Sequence, residues 1–274
     1  MNKRLLIIGI LIVSFLQSAN TYSQSVTRIV SLAQSLTKNI YFLEAQSKLV
    51  GCTSYCDTAI ADGKEVVASA VKVNIEKVVS LKPNLVITTA MTDPETIEMI
   101  RKFNIRVEIF DTAKSFNEIC EQLLQLAKLI NSEDNAIKVI NQCKERINQL
   151  SVKNKGNKQP SIFFQIGTKP LFTVIPNTFM NDYIVLAGGK NIVTNTKTGI
   201  ISREAVIASN PDVIFIVTMG IVDNDEKSVW ENCSTLNAAK SKKIFIIDSN
   251  EACTPTPVTF VKTLEKVINL TYSK

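Results

Sequence analysis

The chain is 274 residues long, 45% hydrophobic and formally +6 at neutral pH. That is enough apolar material for one large α/β domain or two lobes, and it excludes a disordered chain. There is no histidine, so the commonest general base and the commonest nitrogen ligand for metals are both missing, and the positive balance is too mild to point to nucleic acid.

Lys3 and Arg4 precede an apolar run over 5–16, and small and polar residues follow through Ser23. This order of charge, apolar core and small-residue exit predicts a secretory signal over residues 1–23. The run is too short to cross a bilayer, which takes about 20 residues. Removing the signal takes away two positive charges and leaves +4. The first cysteine is Cys52, so no lipid-anchor cysteine is expected after the apolar core.

Beyond the signal, strands are predicted at 28–32, 48–53, 85–87 and 105–110, with helical patterns at 36–44, 94–103 and 115–130. Alternation of strand and helix favours a mainly parallel sheet. Residues 132–156 open on Ser132 and two acids and close on lysines and Gly156, which are good helix ends. Ala136, Ile140, Cys143, Ile147 and Leu150 fall on one apolar face of that helix. Strands then return at 161–166, 213–217 and 244–248, with helices at 178–187, 202–209 and 256–270, and Trp230 falls in a loop. The expected organisation is a first lobe over 24–131, a connecting helix over 132–156 and a second lobe over 157–274. One stiff helix between lobes predicts only a small closure on ligand capture.

The two lobes share a segment. IEKVVSLKPNLVITTAM begins at Ile75 and REAVIASNPDVIFIVTM at Arg203, and they align without gaps. Glu76, Val78, Pro83 and Met91 correspond to Glu204, Val206, Pro211 and Met219, each displaced by 128 residues. Each copy reads as a short helix stopped by proline and followed by a buried strand. Asn74 and Ser202 stand where they can cap those helices, with a glutamate near each positive helix end.

Six cysteines in an exported chain can pair. Cys120 and Cys143 flank the turn at Asn131 and Ser132, so an antiparallel helix pair would bring them level, as a disulfide or as buried thiols. Cys52, Cys56 and Cys253 show no paired CxxC spacing for a metal. A disulfide between Cys56 and Cys253 is not expected, because it would hinder opening of the lobes.

RIVSLAQSLTKNIYFL, LVGCTSYCD, IEKVVSLKPNLVI, FFQIGTKPLFT, LAGGKNI and ISREAVIASNPDVIFI resemble the class III substrate-binding proteins of bacterial ABC importers, which carry cobalamin, haem and iron-siderophore complexes. FQIGTKPLFT and SYCD look most like the cobalamin-binding branch. The resemblance covers essentially the whole chain after the signal. It implies two Rossmann-like α/β lobes with mainly parallel sheets, joined by one long helix, and a ligand cleft between them. It also implies a periplasmic monomer, not an enzyme, with no resident cofactor or metal, handing a small molecule to a membrane permease. Glu76 and Glu204 match the acidic residues that dock onto permease arginines in that family.

Ligands of such folds bind beyond the carboxyl ends of the strands. That rule selects Gln34 and Ser35, then Tyr55, Cys56 and Asp57, then Thr89 with Met91 in the first lobe. In the second it selects Gln165 and Phe172, Thr218 and Met219, and the 251–256 loop with Cys253. Tyr55 and Phe172 match aromatic contacts of cobalamin-binding relatives, whereas Ala70 and Thr198 stand where those relatives carry tryptophan. The cargo is read as a corrinoid, with an iron-siderophore or haem as the alternative. Tyr55 or Met219 would be available to haem iron, and Lys169 is the nearest cation for an anionic siderophore. An exported α/β hydrolase is the rival class, but the chain has no GxSxG elbow, no phosphate-cradling glycine loop and no histidine base.

Overall fold

The computed structural model describes residues 25–69, 72–153, 159–194, 198–218 and 224–273. The signal segment, Ala70 and Met219 lie outside the described residues.

The first sheet contains β1 (Ile29–Ser31), β2 (Leu49–Thr53), β3 (Glu65–Ala68), β4 (Leu85–Thr89) and β5 (Val107–Phe110). Its order is β3-β2-β1-β4-β5 and every pairing is parallel. The second contains β6 (Ser161–Thr168), β7 (Leu171–Thr173), β8 (Lys190–Asn191), β9 (Val213–Thr218) and β10 (Ile244–Asp248). Its spine is β10-β9-β6; β8 runs parallel to the start of β6 and β7 antiparallel to its end.

Parallel sheets require cover on both faces, so their strands are apolar at successive positions. Leu85 and Ile87 face the core shared by the two lobes, while Val86 between them faces an outer cluster. Val213, Phe215 and Val217 likewise face the shared core, and Ile214 and Ile216 the outer one. The period of two is hidden in the sequence because both faces are buried. Register makes the duplication explicit: Ile29 pairs with Leu85 in the first sheet and Ile162 with Val213 in the second.

The short helices of the repeat end as their sequences require. Asn74 Oδ1 accepts from Lys77 N at 3.0 Å at the start of helix Ile75–Ser80, and Ser202 Oγ from Ala205 N at 3.2 Å at the start of helix Arg203–Ser209. The LAGG run closes helix Phe179–Leu186: Gly188 adopts φ +77°, and a side chain at Gly189 would collide with Ile162 of β6. This close approach seats β8 beside β6.

Helix Glu133–Lys153 joins the lobes, and its five predicted apolar positions are all buried. It packs against helix Phe116–Ile130 and against the C-terminal helix Pro257–Thr271. Aromatic rings bridge the lobes here: Phe116 lies 4.8 Å from Phe260, which lies 4.6 Å from Tyr183. Such pairs add about 0.5–1.5 kcal/mol each beyond area burial. Asp182 Oδ2 accepts from Phe116 N at 2.8 Å, tying the second lobe to a helix start in the first.

Three strands were not predicted: β3, β7 and β8. Trp230 is also corrected, because it sits in helix Asn224–Glu231 and is fully buried. All six cysteines are free thiols, with Cys120 and Cys143 buried.

Candidate ligand cleft

The carboxyl ends of all five strands of the first sheet open onto one cavity of about 760 Å³. Residues 32–35 follow β1, Tyr55 follows β2 and Ser69 with Lys72 follows β3. Residues 89–93 straddle the end of β4, and residues 111–113 follow β5. The strand order turns back on itself at β1 and β4, the switch point at which open α/β sheets bind ligands. Phe179 and residues 253–255 close the cavity from the second lobe. A smaller hollow of about 330 Å³ beside Asp212 and Lys243 lies at the opposite end of β9.

Gln34 holds the floor across the lobes. Its Nε2 donates to the Tyr55 carbonyl at 2.7 Å and to Asn250 Oδ1 at 3.3 Å, and its Oε1 accepts from Thr254 Oγ1 at 3.2 Å. Lys38 adds a bond from Nζ to the Asn250 carbonyl at 3.1 Å, and burial holds its amine below the usual lysine value. The loop carrying Tyr55 is thus fixed from below, while the Tyr55 ring is 51% exposed and Met91 88% exposed on the cavity wall.

Apolar groups make up more of the wall than polar ones, and among the polar side chains hydroxyls and amides outnumber charges. Among the described lining residues Lys72 is the only cation, against Asp93 and Asp111. Asp93 caps helix Pro94–Arg101, and hydrogen bonds from Thr96 N at 2.9 Å and Thr96 Oγ1 at 3.0 Å hold its carboxyl below the usual aspartate range. It is therefore ionised at neutral pH.

The cavity gathers Gln34, Ser35, Tyr55, Thr89 and Cys253. Cys56 lies just behind the wall, 4% exposed, its sulfur 3.3 Å from Thr37 Oγ1 and 3.2 Å from Thr53 Oγ1. Hydrogen bonding with Cys52, Thr37 and Thr53 outweighs burial and holds the Cys56 thiol below the usual cysteine value. Burial pushes the Cys253 thiol up to about 11. Asp57 is the first residue of helix Asp57–Ala61.

Gln165, Phe172 and Thr198 stand outside the cavity wall. Gln165 is fully buried, with Oε1 accepting from Trp230 Nε1 at 2.7 Å and Nε2 donating to Glu226 Oε2 at 3.0 Å. Phe172 lies on β7, half-exposed and bridged to Ile200. Thr198 Oγ1 accepts from Ile200 N at 3.4 Å. Lining residues that the sequence reading missed include Ser69, Lys72, Asp93, Asp111, Gln122 and Phe179. Ser69 and Lys72 follow the unpredicted β3, and Gln122 and Phe179 come from helices, to which the strand-end rule does not apply.

Glu76 and Glu204 are exposed in the first turns of equivalent helices. Hydrogen bonds from its own backbone N–H and from Ser202 hold the Glu204 carboxyl below the usual glutamate range.

Residues 29–251 match the family described as "Periplasmic binding protein". A vitamin B12-binding protein of Vibrio parahaemolyticus is 24% identical over 255 residues, 92% of each chain. The periplasmic vitamin B12 binding protein of Vibrio cholerae superimposes with a TM-score of 0.74 at 25% identity, covering 90% of this chain and 96% of that one. A possible iron-binding periplasmic solute-binding protein of Staphylococcus epidermidis gives 0.82 at 23% identity, covering 91% and 100%. With its two lobes, connecting helix and inter-lobe cavity, this chain belongs to the periplasmic binding protein family, whose members are substrate-binding proteins that present small molecules to ABC permeases.

Proposed function

We propose that the chain is the exported, monomeric binding component of an ABC importer that captures a corrinoid of the cobalamin type and docks on its permease through Glu76 and Glu204. One observation carries the choice of cargo: a largely apolar cavity wall whose polar side chains are mostly hydroxyls and amides, with two carboxylates and, among the described residues, a single cation. The two propionates of haem, or the charge of a catecholate or carboxylate siderophore, call for several cationic side chains. The carboxamide rim of a corrinoid calls for neutral acceptors and donors, which Ser35, Thr89, Thr92 and Gln122 supply. Tyr55 offers an exposed ring to the macrocycle. The relatives named for vitamin B12 support the same cargo.

Haem is the second reading, favoured by one feature: Tyr55 and Met91 both present exposed side chains of types that ligate haem iron. The visible absorption spectrum of protein purified from its host separates the two. Corrinoid bands are expected; a dominant Soret band would overturn the cobalamin assignment.

A further inference from the structure

Arg203 precedes the docking Glu204 and joins a closed ring of side chains. Its Nη2 lies 2.7 Å from both Glu226 carboxylate oxygens, and its guanidinium stands 4.8 Å over the Trp230 indole. Trp230 Nε1 donates to Gln165 Oε1 at 2.7 Å, and Gln165 Nε2 returns to Glu226 Oε2 at 3.0 Å. The ring links helix Arg203–Ser209, helix Asn224–Glu231 and strand β6. Trp230 and Gln165 are fully buried. None of the four lines the ligand cavity.

Displacement by 128 residues puts Ile75 in the place of Arg203, Glu98 in that of Glu226 and Lys102 in that of Trp230. Glu98 is exposed and bonded to Arg101 on its own helix, so among the described residues these positions of the first lobe form no such ring.

Resting on the docking role proposed above for Glu204, we infer that Arg203 is a positioning residue for docking: the ring fixes the rotation and height of helix Arg203–Ser209, and so where Glu204 is presented. A guanidinium is suited to this because its flat face stacks on an aromatic ring while one nitrogen, Nη2, reaches both Glu226 oxygens, whereas an ammonium acts as a point charge. Lysine at this position keeps the charge and loses the direction.

The test is recovery of the ABC permease from detergent-solubilised host membranes on the immobilised full chain. Parent, E204K, R203K and the neutral pair R203Q/E226Q are compared at a temperature where circular dichroism shows all four folded. E204K, R203K and the neutral pair are each expected to lower recovery about tenfold. In R203K the emission of Trp230, the only tryptophan in the chain, is expected to shift as the guanidinium is lost from the indole face. Parent-level recovery by R203K and the neutral pair, with E204K still deficient, would overturn the positioning role. Parent-level recovery by E204K would instead overturn the docking role itself, and this inference with it.

Discussion

Beneath Glu76, helix Ile75–Ser80 rests on Ile97 and Ile100 through Val78, a contact made of buried hydrocarbon. Beneath Glu204, the equivalent helix reaches helix Asn224–Glu231 through Val206 packed with Trp230 and also through the Arg203–Glu226 ion pair. One backbone unit is thus seated in two ways. Hydrocarbon contributes burial free energy with little demand on direction, whereas a partly buried ion pair adds little net stability and here, on the inference above, sets orientation. The helix of Glu76 is held by packing and by the ion pair of Lys77 with Glu65 on β3, and the helix of Glu204 by packing and by the Arg203–Glu226 pair stacked on Trp230.

The most damaging change to both anchors is reversal of their charges. E76K with E204K is expected to abolish delivery to the permease while leaving ligand affinity intact, measured by uptake and by titration on the same preparation. Loss of ligand binding would show that the two glutamates serve the cleft instead.

Next in size is the hydrocarbon seat. Ile100→Ala leaves a cavity in a fully buried position and is expected to cost about 2–5 kcal/mol in denaturant unfolding. A smaller cost would mean that helix Pro94–Arg101 collapses onto the space.

The polar seat is expected to reveal itself by pH. Burial opposes ionisation of Glu226, but its bonds from Arg203 and Gln165 outweigh that and hold the carboxyl below the usual glutamate value. A carboxyl depressed in the folded state contributes stability above its unfolded value, about 4.3, and loses it as pH falls through the folded value. The stability gap between the parent and E226Q is therefore expected to narrow as pH drops below about 4.3. A gap that widens with acid would contradict the pairing.

Smallest of all is the expected movement between lobes. The connecting helix, the Phe116–Phe260 contact and the Gln34 bonds to Asn250 and Thr254 all cross from one half to the other. Small-angle scattering is expected to show no compaction on ligand addition beyond experimental error, and a clear decrease in radius of gyration would contradict that.

Much of this was legible in sequence because the repeated strands are long apolar runs beside prolines, as at Pro83 and Pro211. The three unpredicted strands are only two to four residues long, LFT, KN and EVVA, too short for periodicity to show. Helix Asn224–Glu231 was missed because its sequence is dense in charge, although Asp225 and Glu226 directly after Asn224 are an acidic first turn that signals a helix start. For the cleft, the strand-end rule selected residues that line the cavity after β1 and β2 and around the end of β4, and passed over Asp111 after β5. It missed the lining beyond β3 because that strand was itself unseen. At β6 it selected Gln165, but β6 runs on to Thr168 and turns into β7, and Gln165 turns to Trp230 and Glu226 instead of the cavity.

The cargo is tested most directly by calorimetric titration of the ligand-free protein with cyanocobalamin, haemin and a ferric catecholate side by side. The expected result is one-to-one binding of cyanocobalamin with a Kd of about 1 μM or tighter, and the other two at least about tenfold weaker. Tight binding of haemin or the ferric catecholate, with no heat from cyanocobalamin, would contradict the account.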